Sequence, residues 1–164
     1  MRHTPKSALQ TLLMLLMLAL APLASADPAV ANQRLQMAKL NFAQVQLQHQ
    51  IGQMHASAGR VAEARQAFAV ANVNAQMLTI SLIQLKQENQ LSYNNGQYTN
   101  GPAQQRAVMQ AELASLNSQQ LNIDYTVLQQ QPTSQVYLSR AQVDLLMLTQ
   151  SMLRVEQEMI AAQQ

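Results

Sequence analysis

His49 and His55 are the two imidazoles that follow the first 26 residues, and either could ligate a metal or carry a proton. Six residues apart on a helix, they point in different directions and cannot clamp one ion from a single helix. His49 continues an apolar stripe of Leu35, Ala38, Phe42 and Val45, so it reads as a partly buried structural histidine. Seven methionines (Met37, Met54, Met77, Met109, Met147, Met152, Met159) raise noncovalent haem held by His and Met from facing helices. Met152 and Met159 instead continue a heptad, where Met is ordinary gap filling, and neither histidine faces an obvious Met. The expectation is no haem, no metal and no other cofactor. Glu156 and Glu158 diverge, with no acid placed to pair with them at glycosidase spacing. A phosphate loop, a nucleophile elbow and a His-Glu-x-x-His helix are all missing, so no residue reads as catalytic and the chain is expected not to be an enzyme.

Tyr93, Asn95 and Tyr98 are the better candidates, as a contact point for a partner. The stretch from Ser92 to Thr99 loses helical period, and Asn95-Gly96 suits a type I′ turn. That register predicts a short turn or β-hairpin tip near residues 92–100, with Tyr93 opposite Tyr98.

Four segments of helical periodicity must position these residues, at about 28–57, 60–91, 102–130 and 134–162. Asp27-Pro28 and Gly101-Pro102 are opening signals. Pro132 ends the third segment, and Thr133 or Ser134 can cap the fourth. The first segment has two stripes, the one leading to His49 and a second of Leu40, Leu47, Ile51 and Met54. A helix with two stripes is touched on two sides. The second segment alternates spacings of three and four through Val61, Ala64, Phe68, Ala71, Ala75, Leu78, Leu82 and Leu85. The third presents Met109, Leu113, Leu116, Ile123 and Val127, and the fourth Leu138, Ala141, Leu145, Leu148, Met152, Val155 and Met159. Phe68, Leu78, Leu82, Leu85, Leu138, Leu145, Leu148 and Met152 form the candidate core or oligomer seam, with self-association expected through the second and fourth helices.

The fold predicted is all-α: an antiparallel up-down four-helix bundle or a long helical hairpin with coiled-coil heptads. Gly59, Gly96 and Pro132 divide the chain into nearly equal arms, which favours the bundle. Ser57-Ala58-Gly59 reads as a weak stop, and a single Gly costs a helix only about 1 kcal/mol, which keeps the long rod as the alternative.

Residues 1–26 carry the pattern of a cleavable secretory signal peptide. Arg2 and Lys6 precede an uncharged run from Leu12 to Leu20, then Pro22 and Ala24-Ser25-Ala26. The expected mature chain, residues 27–164, is one helical domain in the periplasm or secreted, with no stable membrane insertion after cleavage. No Asn-x-Ser/Thr motif occurs, in keeping with a bacterial origin. Eight Lys and Arg balance eight Asp and Glu in this part, scattered singly, which argues against nucleic acid and anionic lipid as partners. There is no cysteine, so packing or self-association must replace disulfides. Gln fills 27 of these positions and reads as the neutral polar face of helices, since it is a good helix former. The composite expectation is an exported, glutamine-rich, non-enzymatic protein that acts through protein–protein contacts. It would be a homo-oligomer and an accessory or structural component of a cell-envelope assembly such as a secretion system, pilus or surface fibre. A periplasmic holdase-type chaperone is the alternative, and a haem or small-ligand bundle the third.

Overall fold

Asp27 and Pro28 open the first helix by separate means. The Asp27 carboxylate accepts a hydrogen bond from the Ala29 amide at 2.8 Å, satisfying one of the amides that a helix start leaves without an intrahelical partner. Pro28 has no amide to satisfy. Asn100 repeats the device by accepting from the Ala103 amide at 3.2 Å, ahead of Pro102. The computed structural model describes residues 27–164, in which α1 spans Pro28–Ser57, α2 Val61–Asn94, α3 Gly101–Gln130 and α4 Gln135–Ala162. The expected signal peptide, residues 1–26, lies outside the described residues. No strand occurs among those described.

Gly59 proves a strong stop. It adopts φ +72°, donates to the Ala56 carbonyl at 3.1 Å, and the Arg60 amide reaches the His55 carbonyl at 2.9 Å. These two bonds are a Schellman motif, which needs a left-handed residue that only glycine takes without strain. The chain therefore reverses, and the long-rod alternative is not the arrangement seen. Gly96 does the same for α2. It has φ +62°, with Gly96 bonded to Tyr93 and Gln97 to Ser92, each at 3.1 Å.

That second motif corrects the expected hairpin. A type I′ turn needs positive φ at both central residues, yet Asn95 has φ −88°. Tyr93 and Asn94 instead extend α2, and only a turn follows. Two strands of this length are marginal alone, whereas each added helical residue gains a backbone bond. At the last corner, Ser134 holds the capping position of α4 but its side chain makes no capping bond.

Cross-helix pairs set the direction of each neighbour. Along α2 and α3, Asn72 meets Thr126, Thr79 meets Ser118 and Lys86 meets Glu112, so one index rises as the other falls. Asp124–Arg140, Asn117–Ser151 and Arg106–Glu158 make α3 and α4 antiparallel in the same way. Asn41 bonds Ser81 between α1 and α2, and Lys39 reaches Glu156 between α1 and α4. The four helices thus run up, down, up and down, with α1 and α4 standing further apart than the three sequential pairs.

The core follows the predicted stripes on α2 and α4. Ala64, Phe68, Ala71, Ala75, Leu78, Leu82 and Leu85 are buried, as are Leu138, Ala141, Leu145, Leu148, Met152, Val155 and Met159, while Val61 at the helix start is exposed. On α3 the expected face is overturned. Met109, Leu113, Leu116 and Ile123 point outward, and Ala107, Ala111, Ala114, Ser118, Leu121, Tyr125 and Leu128 line the core. Small residues let α2 and α3 approach closely, and the Thr79 and Ser118 hydroxyls meet at 2.8 Å beside the Ala75 carbonyl. A stripe of Leu and Met would hold these two helices further apart.

Candidate functional site

A second apolar register runs along every helix, on the outside. On α1 it comprises Met37, Leu40, Leu47 and Met54; on α2 Val70, Val73, Met77, Ile80 and Leu91. On α3 it comprises Met109, Leu113, Leu116 and Ile123; on α4 Val136, Val143, Leu146, Leu153 and Ile160. These side chains are between 40% and 65% exposed. In the first three helices each lies two residues beyond a core position, about 200° around the helix, so it points away from the bundle axis. Uncharged residues, among them Gln44, Gln84, Gln87 and Gln120, fill the gaps on the first three helices, whereas on α4 Gln150 and Gln157 alternate with the exposed Arg140 and Arg154. Scattered exposed apolar residues are ordinary, but contiguous rows mark contact surfaces.

Half of the charged side chains of residues 27–164 pair across the helix junctions. Lys39–Glu156, Lys86–Glu112 at 2.8 Å, Arg106–Glu158 at 2.9 Å and Arg140–Asp124 at 3.0 Å each join two helices. These pairs fix neighbours in register.

The eight seam residues from Phe68 to Met152 are brought together by the fold, all inside one chain. They are the core of the single bundle, so a second copy has no access to them. The tip residues separate. Tyr93 and Asn95 are exposed; Tyr98 is half-buried with its hydroxyl enclosed near Ser92, and burial raises its pKa. Tyr93 leans on the start of α3, its ring 3.6 Å from where a Gly101 side chain would begin.

His49 is 1% exposed, between the rings of Phe68 at 6.2 Å and Tyr125 at 5.9 Å. Burial lowers its pKa, against a smaller pull from Gln142, which keeps the imidazole neutral near pH 7. A haem ligated by His49 would have to displace both rings. No cluster of three or more metal-ligating His, Cys, Asp or Glu occurs among the described residues. A groove of about 450 Å³ runs between α1 and α4, lined by Gln53, Ser57, Gln135, Leu138, Ser139 and Gln142. Apart from Leu138 its walls are neutral carboxamides and hydroxyls, which bind but do not transfer protons near pH 7.

An acid–base cluster that local sequence does not reveal lies between α3 and α4. Asp124 is fully buried beside Arg140, and Asp144 joins them across the helix pair. Burial, then the neighbouring Asp124 carboxyl, pushes the Asp144 pKa up from 3.8 to about 6, with Arg140 opposing. Local spacing gives no warning of this, because Asp124 and Asp144 are 20 residues apart on different helices. The consequence is a pH dependence with a definite sign. Below pH 3.8 Asp144 is protonated whether folded or not and costs nothing; between 3.8 and 6 the unfolded chain loses its proton first, so stability falls as pH rises. Asp144→Asn is therefore expected to raise the melting temperature at pH 7.5 and leave it unchanged at pH 3.5. Thermal melts followed by circular dichroism at both pH values test this, and an equal melting temperature at pH 7.5 would refute it.

Among the described residues one helix, α2, is long and apolar enough to cross a membrane by length and composition, and 44% of its most apolar stretch is buried. Its apolar residues form no uninterrupted run. The high apolar content arises because α2 is apolar on two opposite faces, one of which is the bundle core.

No family model, no curated protein and no solved structure matches this chain.

Proposed function

We propose that the chain is an exported, non-enzymatic helical protein that acts through protein–protein contacts, as an accessory or structural part of a cell-envelope assembly. The observation that carries this reading is the half-exposed outer apolar row on each of the four helices. A bundle that worked alone would gain solubility from polar residues at those positions. The leader pattern of residues 1–26 supports the extracytoplasmic address.

The test is cell fractionation with crosslinking in the native host, followed by recovery of the tagged protein. The expected result is a processed chain in the periplasm or envelope, crosslinked to components of one assembly. A full-length cytoplasmic chain with no crosslinked protein would overturn the reading. Tyr93→Ala with Tyr98→Ala separates the tip from the helix faces: reduced recovery at unchanged helicity assigns the contact to the tip, since buried aromatic anchors are typical hot spots. The same apolar rows favour a holdase chaperone as the second reading. That would be recognised by suppressed aggregation of an unfolded client at near-stoichiometric ratio.

A further inference from the structure

We infer that the outer rows are covered by further copies of this chain, packed side by side with their helices aligned. This names the first partner within the protein–protein reading given above and rests on it. Three observations select a second copy over other occupants. The rows repeat at spacings of three and four, as in Val70, Val73, Met77 and Ile80, which is the period at which one long helix meshes with another. They also face outward from all four helices, whereas a flat membrane could cover at most two. Finally, the rows of α1, α2 and α3 are built of uncharged residues, and residues 27–164 have eight basic and eight acidic side chains, so copies carry no net charge to hold them apart.

The area is sufficient. Half of a large aliphatic side chain presents about 50 Å² of apolar surface. The nine outward side chains of α2 and α3 therefore offer roughly 450 Å². In an interface that is about 60% apolar this corresponds to roughly 750 Å² per partner, close to the ~800 Å² of a stable complex. The α1–α4 side presents a comparable surface. Two such faces on one molecule give each copy two neighbours, so the assembly is a ring or an open array that grows beyond a dimer.

Sedimentation velocity of the purified protein across a hundredfold range of concentration tests this. Expected is a mass of three or more copies that shifts with concentration. Ile80→Gln with Leu116→Gln, on the exposed face of α2 and α3, should lower that mass at unchanged helicity and melting of the monomer. Leu40→Gln with Leu146→Gln should do so from the other face. A single-copy mass at every concentration would overturn the inference, as would an oligomer unaffected by both pairs. Comigration of a monomer with neutral or anionic vesicles would overturn it too, in favour of lipid. A monomer that still crosslinks to an envelope protein would overturn only self-packing; a monomer that crosslinks to nothing would end both readings.

Discussion

Replacing Leu78 with Asp is expected to unfold the chain at 25 °C. Leu78 is fully buried at mid-length of α2, within a core shared by all four helices. Truncating such a side chain costs about 2–5 kcal/mol through lost transfer energy and the cavity left behind. The unpaired carboxylate adds several kcal/mol more, because no buried cation lies there to meet it. The total matches or exceeds the net stability of a typical domain, about 5–15 kcal/mol. Leu148→Asp, fully buried on α4, should behave alike. Far-ultraviolet circular dichroism with urea titration checks both. Ile80→Asp is the control, since Ile80 is 40% exposed on the same helix. It should keep its helicity as a monomer. If Leu78→Asp and Leu148→Asp both fold with little loss, the inner face is not the core and the arrangement of the helices is wrong.

Gly52→Ala pits two effects of opposite sign against each other. Within a helix, Ala in place of Gly gains about 1 kcal/mol. Here the added Cβ would lie 2.7 Å from Cζ and 2.8 Å from Cδ1 of Phe68, and closer still to Cε1. Phe68 is fully buried and its ring packs on Tyr125 at 6.2 Å, so it cannot swing into solvent. Overpacking of a rigid core costs about 1–3 kcal/mol, sometimes more, and at three close ring atoms the upper part of that range applies. The net expectation is a loss of about 2 kcal/mol in chemical denaturation. Phe68→Leu supplies the cross-check, because it removes the ring atoms that collide. In that background Gly52→Ala should become neutral or stabilising, and the difference between the two backgrounds measures the coupling. A stabilised single Gly52→Ala variant would place α1 further from α2 than described.

The helices themselves are legible in the sequence. Asp27-Pro28 and Gly101-Pro102 act locally through capping and proline geometry, and Pro132 breaks a helix whatever surrounds it. The stripes on α2 and α4 are legible because Leu, Met and Val at three-and-four spacing have one buried solution when no competing stripe is stronger. Turn chemistry is less legible. The residues before Gly59 suggest a weak stop, though a Schellman stop depends on the glycine and the bonds that close across it. Asn95-Gly96 suggests a hairpin, though the same glycine serves a helix end.

Which face of α3 goes inside is not legible, and the reason applies to all four helices. Each carries two apolar registers, and composition alone favours burying the larger side chains. The tertiary structure buries the smaller ones on α3: Ala107, Ala111 and Ala114 lie at the level of Leu82, Leu85 and Asn89 of α2, where small side chains make room for large ones across the contact. Likewise Asp124, Arg140 and Asp144 meet only because α3 and α4 lie antiparallel, and Gly52 matters only because Phe68 sits against it. Sequence determined where helices start, stop and carry apolar faces, because capping, proline and periodicity act within a few residues. The tertiary structure decided which of two faces is core and which remains for a partner, because that choice depends on the fit between helices distant in the chain.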